Sequence, residues 1–193
     1  MPEAKRIGLF GGTFDPIHIG HTIIAEWLQF KLELNEIHFI PNSIHPFLKR
    51  ENVTDASHRL RMLELALQDY SFFRICRYEI EKKDTSYSVE TIRYYADQKP
   101  AARLFFLMGG DNVEEFHLWK NSEDIFQLAT VVVFNRKNQT IQNADKFTYI
   151  QNPLIEISSS LIRNHIKSGL PYQSFLHPHV YEYIKHNKLY ING

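Results

Sequence analysis

Gly11-Gly12-Thr13-Phe14-Asp15-Pro16-Ile17-His18-Ile19-Gly20-His21 stands between a short apolar run, residues 7–10, and a helical pattern over residues 22–32. Strand, glycine-containing turn and helix, in that order, put main-chain N–H groups and a positive helix end where a phosphate can sit. The paired glycines let the backbone come close to a ligand, and Pro16 fixes φ so that the turn keeps one shape. His18 and His21 are three residues apart, the spacing at which side chains at the start of a helix share a face. The stretch reads as a polyphosphate site with two imidazoles aimed at it.

The same alternation continues along the chain. Residues 37–40, 73–76, 104–108 and 130–134 are short apolar runs that predict strands, and residues 56–67, 89–96 and 123–128 carry helical patterns. Arg59, Met62, Leu63 and Ala66 repeat at helical spacing after Thr54 and Asp55. Residues 154–157 are expected to add a strand before two last helices, with Gly169 as a C-cap and Pro178 opening the final helix. The expectation is an α/β fold: an open parallel sheet with helices on both faces and a small C-terminal helical extension, in one unit over residues 1–193. In such sheets ligands bind beyond the carboxyl ends of the strands. The loops to watch are therefore 11–21, 41–49, 109–112 and 158–163.

Composition narrows the partners. Twenty-two lysines and arginines balance 22 aspartates and glutamates, which leaves no bulk field for a nucleic acid or an acidic membrane. Positive charge for a triphosphate must then be placed locally. No apolar run approaches a membrane span and no signal-peptide pattern opens the chain, so a cytoplasmic location is expected. The lone cysteine, Cys76, excludes an internal disulfide and reads as a small buried hydrophobe. Neither GxGxxG nor GxxxxGK[ST] occurs, which disfavours a dehydrogenase or a P-loop hydrolase. A zinc site would need a third ligand beside His18 and His21, and none is nominated. A histidine pair of this spacing, met alone, is more often structural or a metal-ligand coincidence.

Ile157-Ser158-Ser159-Ser160-Leu161-Ile162-Arg163 follows about 140 residues after the first motif. Read alone it is a serine N-cap, which is itself compatible with an anion site. The two stretches in this order resemble the HxGH and ISxTxxR motifs of the nucleotidyltransferase family, with Ser160 in place of the usual threonine. Within that family the chain looks most like the bacterial nicotinate-mononucleotide adenylyltransferases. The resemblance implies a Rossmann-like fold, ATP with Mg²⁺ and nicotinate mononucleotide as ligands, and transfer of AMP with release of pyrophosphate. It leaves open phosphopantetheine as the acceptor, or a non-catalytic nucleotide-binding module.

By the same resemblance, Gly11, Gly12, Thr13, Phe14, His18, His21, Gly109, Asp111, Ser158, Ser159, Ser160 and Arg163 are expected around ATP. Asp15, Ser86, Tyr87, Ser88 and Trp119 are expected around the mononucleotide, with Trp119 stacked on the pyridine ring. Lys49, in a loop where many relatives carry Pro-Pro-His-Lys/Arg, is expected to join His18, His21 and Arg163 in catalysis. Arg50 is an alternative, as is a plain solvated loop tip. Ser86 is also an ordinary N-cap. Trp27 with Ile23, Ile24 and Phe30 keeps helical spacing and is expected on a core face. His177 and His179 have no partner that the sequence identifies.

Overall fold

The computed structural model describes residues 4–43, 53–82, 85, 87–134 and 144–191. Its frame is a six-stranded parallel sheet in the order β3-β2-β1-β4-β5-β6. The strands are β1 (Arg6–Gly12), β2 (Glu36–Pro41), β3 (Phe73–Ile75), β4 (Arg103–Gly109), β5 (Thr130–Phe134) and β6 (Thr148–Tyr149). Helices α1 (Ile19–Lys31), α2 (Ala56–Leu67), α3 (Tyr78–Lys82), α4 (Ser88–Gln98), α5 (Ser122–Leu128), α6 (Ser159–Lys167) and α7 (Pro178–His186) surround it.

Alternation along each strand divides the core into two layers. Phe10, Phe39, Phe105, Leu107 and Val132 meet α1, α2, α6 and α7 through Leu28, Met62, Ile162 and Val180. Ile7, Leu9, Leu104, Phe106 and Val131 meet α4 and α5 through Ile92 and Ile125. A strand buried on both faces is apolar at every position, which is why these runs are continuous rather than alternating.

Two expectations are corrected. Residues 154–157 form no strand; the sheet closes instead on the two-residue β6, and the following chain passes beside α1. On α1 the buried face is Ile24, Ala25 and Leu28, whereas Ile23 is 40% and Phe30 70% exposed. Trp27 is half-buried on that outer side, its Nε1 donating to the Gln151 carbonyl at 2.9 Å and Lys31 Nζ lying 5.0 Å from its ring.

Candidate active site

The strand order reverses between β1 and β4, and the carboxyl ends of these two strands open into a cleft of about 960 Å³. Its walls come from the ends of β1, β2, β4 and β5 and from the starts of α1, α4 and α6. This is the switch-point position at which open α/β sheets bind ligands.

His18 is the N-cap of α1 and is 4% exposed. Its backbone N–H donates to His21 Nδ1 at 3.2 Å, so neutral His21 carries its proton on Nε2. The two imidazoles stack with centroids 3.7 Å apart and planes 28° apart. Gly20 leaves room for this stack, because a Cβ would lie 3.0 Å from His18 Nδ1, a tight contact that the ring would have to relieve. That nitrogen is buried and has no hydrogen-bond partner among the described residues. Burial, with His177 nearby, lowers the His18 pKa to about 4, and burial followed by the charge of His18 lowers that of His21 well below the usual imidazole range. Both rings are thus neutral at pH 7 until an anion arrives to favour a proton.

A second helix start reaches the same cleft. Ser158 caps α6 by accepting from the Leu161 N–H at 3.1 Å, and Ser158 and Ser159 line the cavity. Ser159 Oγ donates to the Pro16 carbonyl at 2.9 Å, tying the start of α6 to the loop that leads into α1. Neither helix has an acidic side chain in its first turn. Two positive helix ends and two imidazoles therefore converge without a neutralising carboxylate of their own.

Gly11, Gly12 and Thr13 line the floor, and a Cβ on Gly11 would meet nothing within 4 Å. Across the cleft Gly109 ends β4 and Asp111 follows it. A Cβ on Gly109 would lie 2.5 Å from Asp111 Oδ1, so the carboxylate folds back over the space a side chain would fill. Tyr87, Ser88 and Trp119 form the far wall. Trp119 is half-buried, propped by Phe116 at 5.3 Å and Phe106 at 6.1 Å between ring centroids.

Four of the expected ligand-facing side chains turn elsewhere. Phe14, at φ 50°, is 2% exposed and packs on Phe10, Phe39 and His21. Asp15, whose bond to Pro16 is cis, is equally buried. Its carboxylate accepts from the Thr54 N–H at 3.1 Å and from Tyr190 OH at 2.6 Å. Arg163 donates Nη1 to the Asp15 carbonyl at 2.7 Å and Nη2 to the exposed Ser160 Oγ at 3.2 Å. These groups hold the loop from behind; Phe14, Asp15, Ser160 and Arg163 are not among the residues that line the cavity, whereas Gly11, Gly12, Thr13 and His18 are. Ser86, Lys49 and Arg50 lie outside the described residues.

The structure adds residues that periodicity did not reveal. Asn42, one residue past β2, donates Nδ2 to Thr13 Oγ1 at 3.3 Å and lines the cleft; the strand-end rule could have flagged it. Among the described residues lining the cleft, Lys120 is the one lysine or arginine. Its Nζ reaches Glu90 Oε1 at 2.8 Å and lies 4.3 Å from the Tyr87 ring centroid. Buried Glu79 also lines the cavity and accepts from Thr91 Oγ1 at 2.6 Å. His177 does have a partner: Thr22 Oγ1 donates to the Ile19 carbonyl and accepts from His177 Nε2 at 3.0 Å.

No group of three or more His, Cys, Asp or Glu among the described residues could hold a metal ion. Nor is any helix among the described residues long and apolar enough to cross a membrane.

The chain matches the cytidylyltransferase-like family over residues 9–165. It is 40% identical over 198 residues to the probable nicotinate-nucleotide adenylyltransferase of Clostridium perfringens (strain SM101 / Type A), covering 96% of this chain and 98% of that one. The corresponding protein of Bacillus cytotoxicus is 39% identical over 186 residues, with the same coverage. A solved structure of Plasmodium falciparum nicotinic acid mononucleotide adenylyltransferase, complexed with NaAD, superimposes with a TM-score of 0.79 at 20% identity, over 96% of this chain and 97% of that one. The likeness at that identity is one of fold. With paired histidines at the switch point and full-length relatives on both sides of the match, the chain belongs to the cytidylyltransferase-like nucleotidyltransferases, in the nicotinate-nucleotide adenylyltransferase group.

Proposed function

We propose that the protein joins ATP and nicotinate mononucleotide, giving nicotinate adenine dinucleotide and pyrophosphate. One observation carries the reading: two helix starts with no acidic residue in the first turn and a stacked histidine pair meet in one cleft, in a chain whose relatives, matched over nearly their whole length, bear that enzyme's name. The acceptor phosphate, mostly dianionic at neutral pH, attacks the α-phosphorus of ATP in line. One P–O bond forms as the bond from Pα to the bridging oxygen breaks, and the electron pair leaves with pyrophosphate. No covalent enzyme intermediate and no strong general base are needed.

The protein's task is to bring two polyanions together and to stabilise charge on the α-phosphate and the leaving group. The starts of α1 and α6, with His18, His21, Ser158 and Ser159, hold the phosphates of ATP, beside the main chain of Gly11, Gly12 and Thr13. Gly109 and Asp111 take the adenosine side, where a carboxylate can accept from ribose hydroxyls. Tyr87, Ser88 and Trp119 hold the mononucleotide. Mg²⁺ would accompany ATP and would supply charge neutralisation. A cytoplasmic setting belongs to the same reading. Lys49 joins the phosphate contacts in this reading.

The test is product formation with ATP, Mg²⁺ and three acceptors: nicotinate mononucleotide, its amide and phosphopantetheine. Pyrophosphate release should require one of the two pyridine mononucleotides, the acid being the better. Turnover with phosphopantetheine alone would replace the reading with another acceptor of the same family.

Trp119→Ala separates the two halves of the cleft. Loss of a stacked aromatic partner is expected to raise KM for the mononucleotide about tenfold, the equivalent of ~1.4 kcal/mol, and to leave KM for ATP nearly unchanged. A rise confined to ATP would put the ring on the adenine side.

A further inference from the structure

Arg59 on α2 is 1% exposed, and every hydrogen bond it makes among the described residues ends on a main-chain carbonyl. Nε donates to Thr54 O at 3.0 Å, Nη1 to Thr13 O at 2.8 Å and Nη2 to Asn42 O at 2.8 Å. A buried guanidinium without a directly bonded carboxylate is a costly group unless its nitrogens are all satisfied, as they are here by main-chain carbonyls. Its place in the sheet shows what it accomplishes. The last paired positions of β1 and β2 are Gly12 and Pro41, and the last bridge is the Asn42 N–H to the Gly12 carbonyl at 3.1 Å. Thr13 and Asn42 are the next residue on each strand, where the ladder has ended and the cleft begins. The planar fork of Arg59 spans those two carbonyls as one further rung.

The guanidinium also sets the loop that delivers the histidines. Through the main chain of Thr54 it faces Asp15: the Thr54 carbonyl accepts from Arg59 while the Thr54 N–H donates to Asp15 Oδ2 at 3.1 Å. Asp15 is held on its other oxygen by Tyr190, almost at the chain's end, and its carbonyl by Arg163. Thr13 and Asp15 are thus pinned on either side of Phe14, a few residues before His18.

We propose that Arg59 is a positioning residue for the transfer, fixing Thr13 and Asn42 at the cleft floor and the start of the chain that carries His18 and His21. Only a planar fork with donors on three nitrogens can reach three carbonyls at once, so lysine is not a conservative substitute. Small displacements of reacting groups cost rate far out of proportion to their size.

Arg59→Lys keeps the charge but can satisfy only part of the set. It is expected to lower kcat ten- to a hundred-fold, with KM for either substrate changed less than about threefold. Hydrogen exchange of the wild-type and variant proteins gives a readout that needs no turnover. Amides in residues 12–18 and 40–43 should exchange at least about tenfold faster in the variant, with β4 and β5 unchanged. In Arg59→Ala, guanidinium ion well below denaturing concentrations should restore part of kcat, and urea at the same concentration should not. A lowered melting temperature with wild-type kcat, or unchanged exchange in both segments, would overturn the proposal. The activity arm rests on the adenylyl-transfer reading. A wild-type protein inactive with every acceptor would strike that reading, while exchange would still decide what Arg59 holds.

Discussion

Alanine at His18 or at His21 is expected to lower kcat by at least about a hundred-fold, roughly 3 kcal/mol of transition-state stabilisation. Both side chains line the cleft at the start of α1, and their stacking makes them one donor surface rather than two separate groups. His21 presents Nε2–H because its Nδ1 is occupied by the His18 N–H. A donor fixed in that way needs no reorganisation as negative charge builds on the phosphates, which is where such contacts are worth most. His21→Ala also frees the His18 N–H, so it should loosen the helix start as well as remove a donor. His18→Ala removes a buried ring without leaving a backbone group unpaired. Steady-state pyrophosphate release at saturating substrates checks both, alongside melting temperatures to show that the variants are folded. Near-wild-type kcat in either would remove the histidine pair from the mechanism. If the pair held a transition metal instead, elemental analysis of the wild-type protein would find it.

What the sequence disclosed, and what it hid, follows from how local each interaction is. Parallel strands buried on both faces are largely apolar runs, and β1, β2, β4 and β5 could be read in that way; β3 has exposed Arg74 between Phe73 and Ile75 and was found from its two apolar neighbours. Strand β6 is two residues, Thr148 and Tyr149, too short for any period to register. Helix α1 carries two apolar stripes, one through Ile24 and Leu28 and one through Ile23, Trp27 and Phe30. Helical spacing fits both, and only packing chooses between them. The loop before His18 was legible as a phosphate site because glycine, proline and helix start are neighbours in the chain. That Phe14 and Asp15 face inward was not legible, since their partners are Phe39, Thr54 and Tyr190. Arg59 shows the same limit most clearly. At helical spacing it passes for one more position of an amphipathic helix, and its three acceptors come from segments that meet only once the sheet is built. His177 and Thr22, 155 residues apart, are a further case.

Acid should destabilise the protein well before its carboxylates titrate. Burial, reinforced by His177, lowers the His18 pKa from 6.5 to about 4, so between these values the unfolded chain binds a proton that the folded one refuses. Stability is unaffected above the window, falls as pH drops through it, and has lost roughly 3 kcal/mol on this account by pH 4. Between pH 7 and pH 5 the loss from this one group is about 2 kcal/mol. His21, His38 and His177 are lowered too, each chiefly by burial, and all add to the slope in the same direction. Glu36, Asp55 and Glu90 are lowered as well, and they contribute only at more acid pH. The share of His18 is isolated by His18→Gln, which is neutral throughout. Urea unfolding of both proteins at pH 7 and pH 5 should show a difference in stability between the two pH values that is about 2 kcal/mol smaller in the variant. An identical acid slope in both would mean that His18 is solvated in the free protein. The desolvation that keeps the ring neutral and primed for an incoming polyanion would then be absent, although Nδ1 is buried without a hydrogen-bond partner among the described residues.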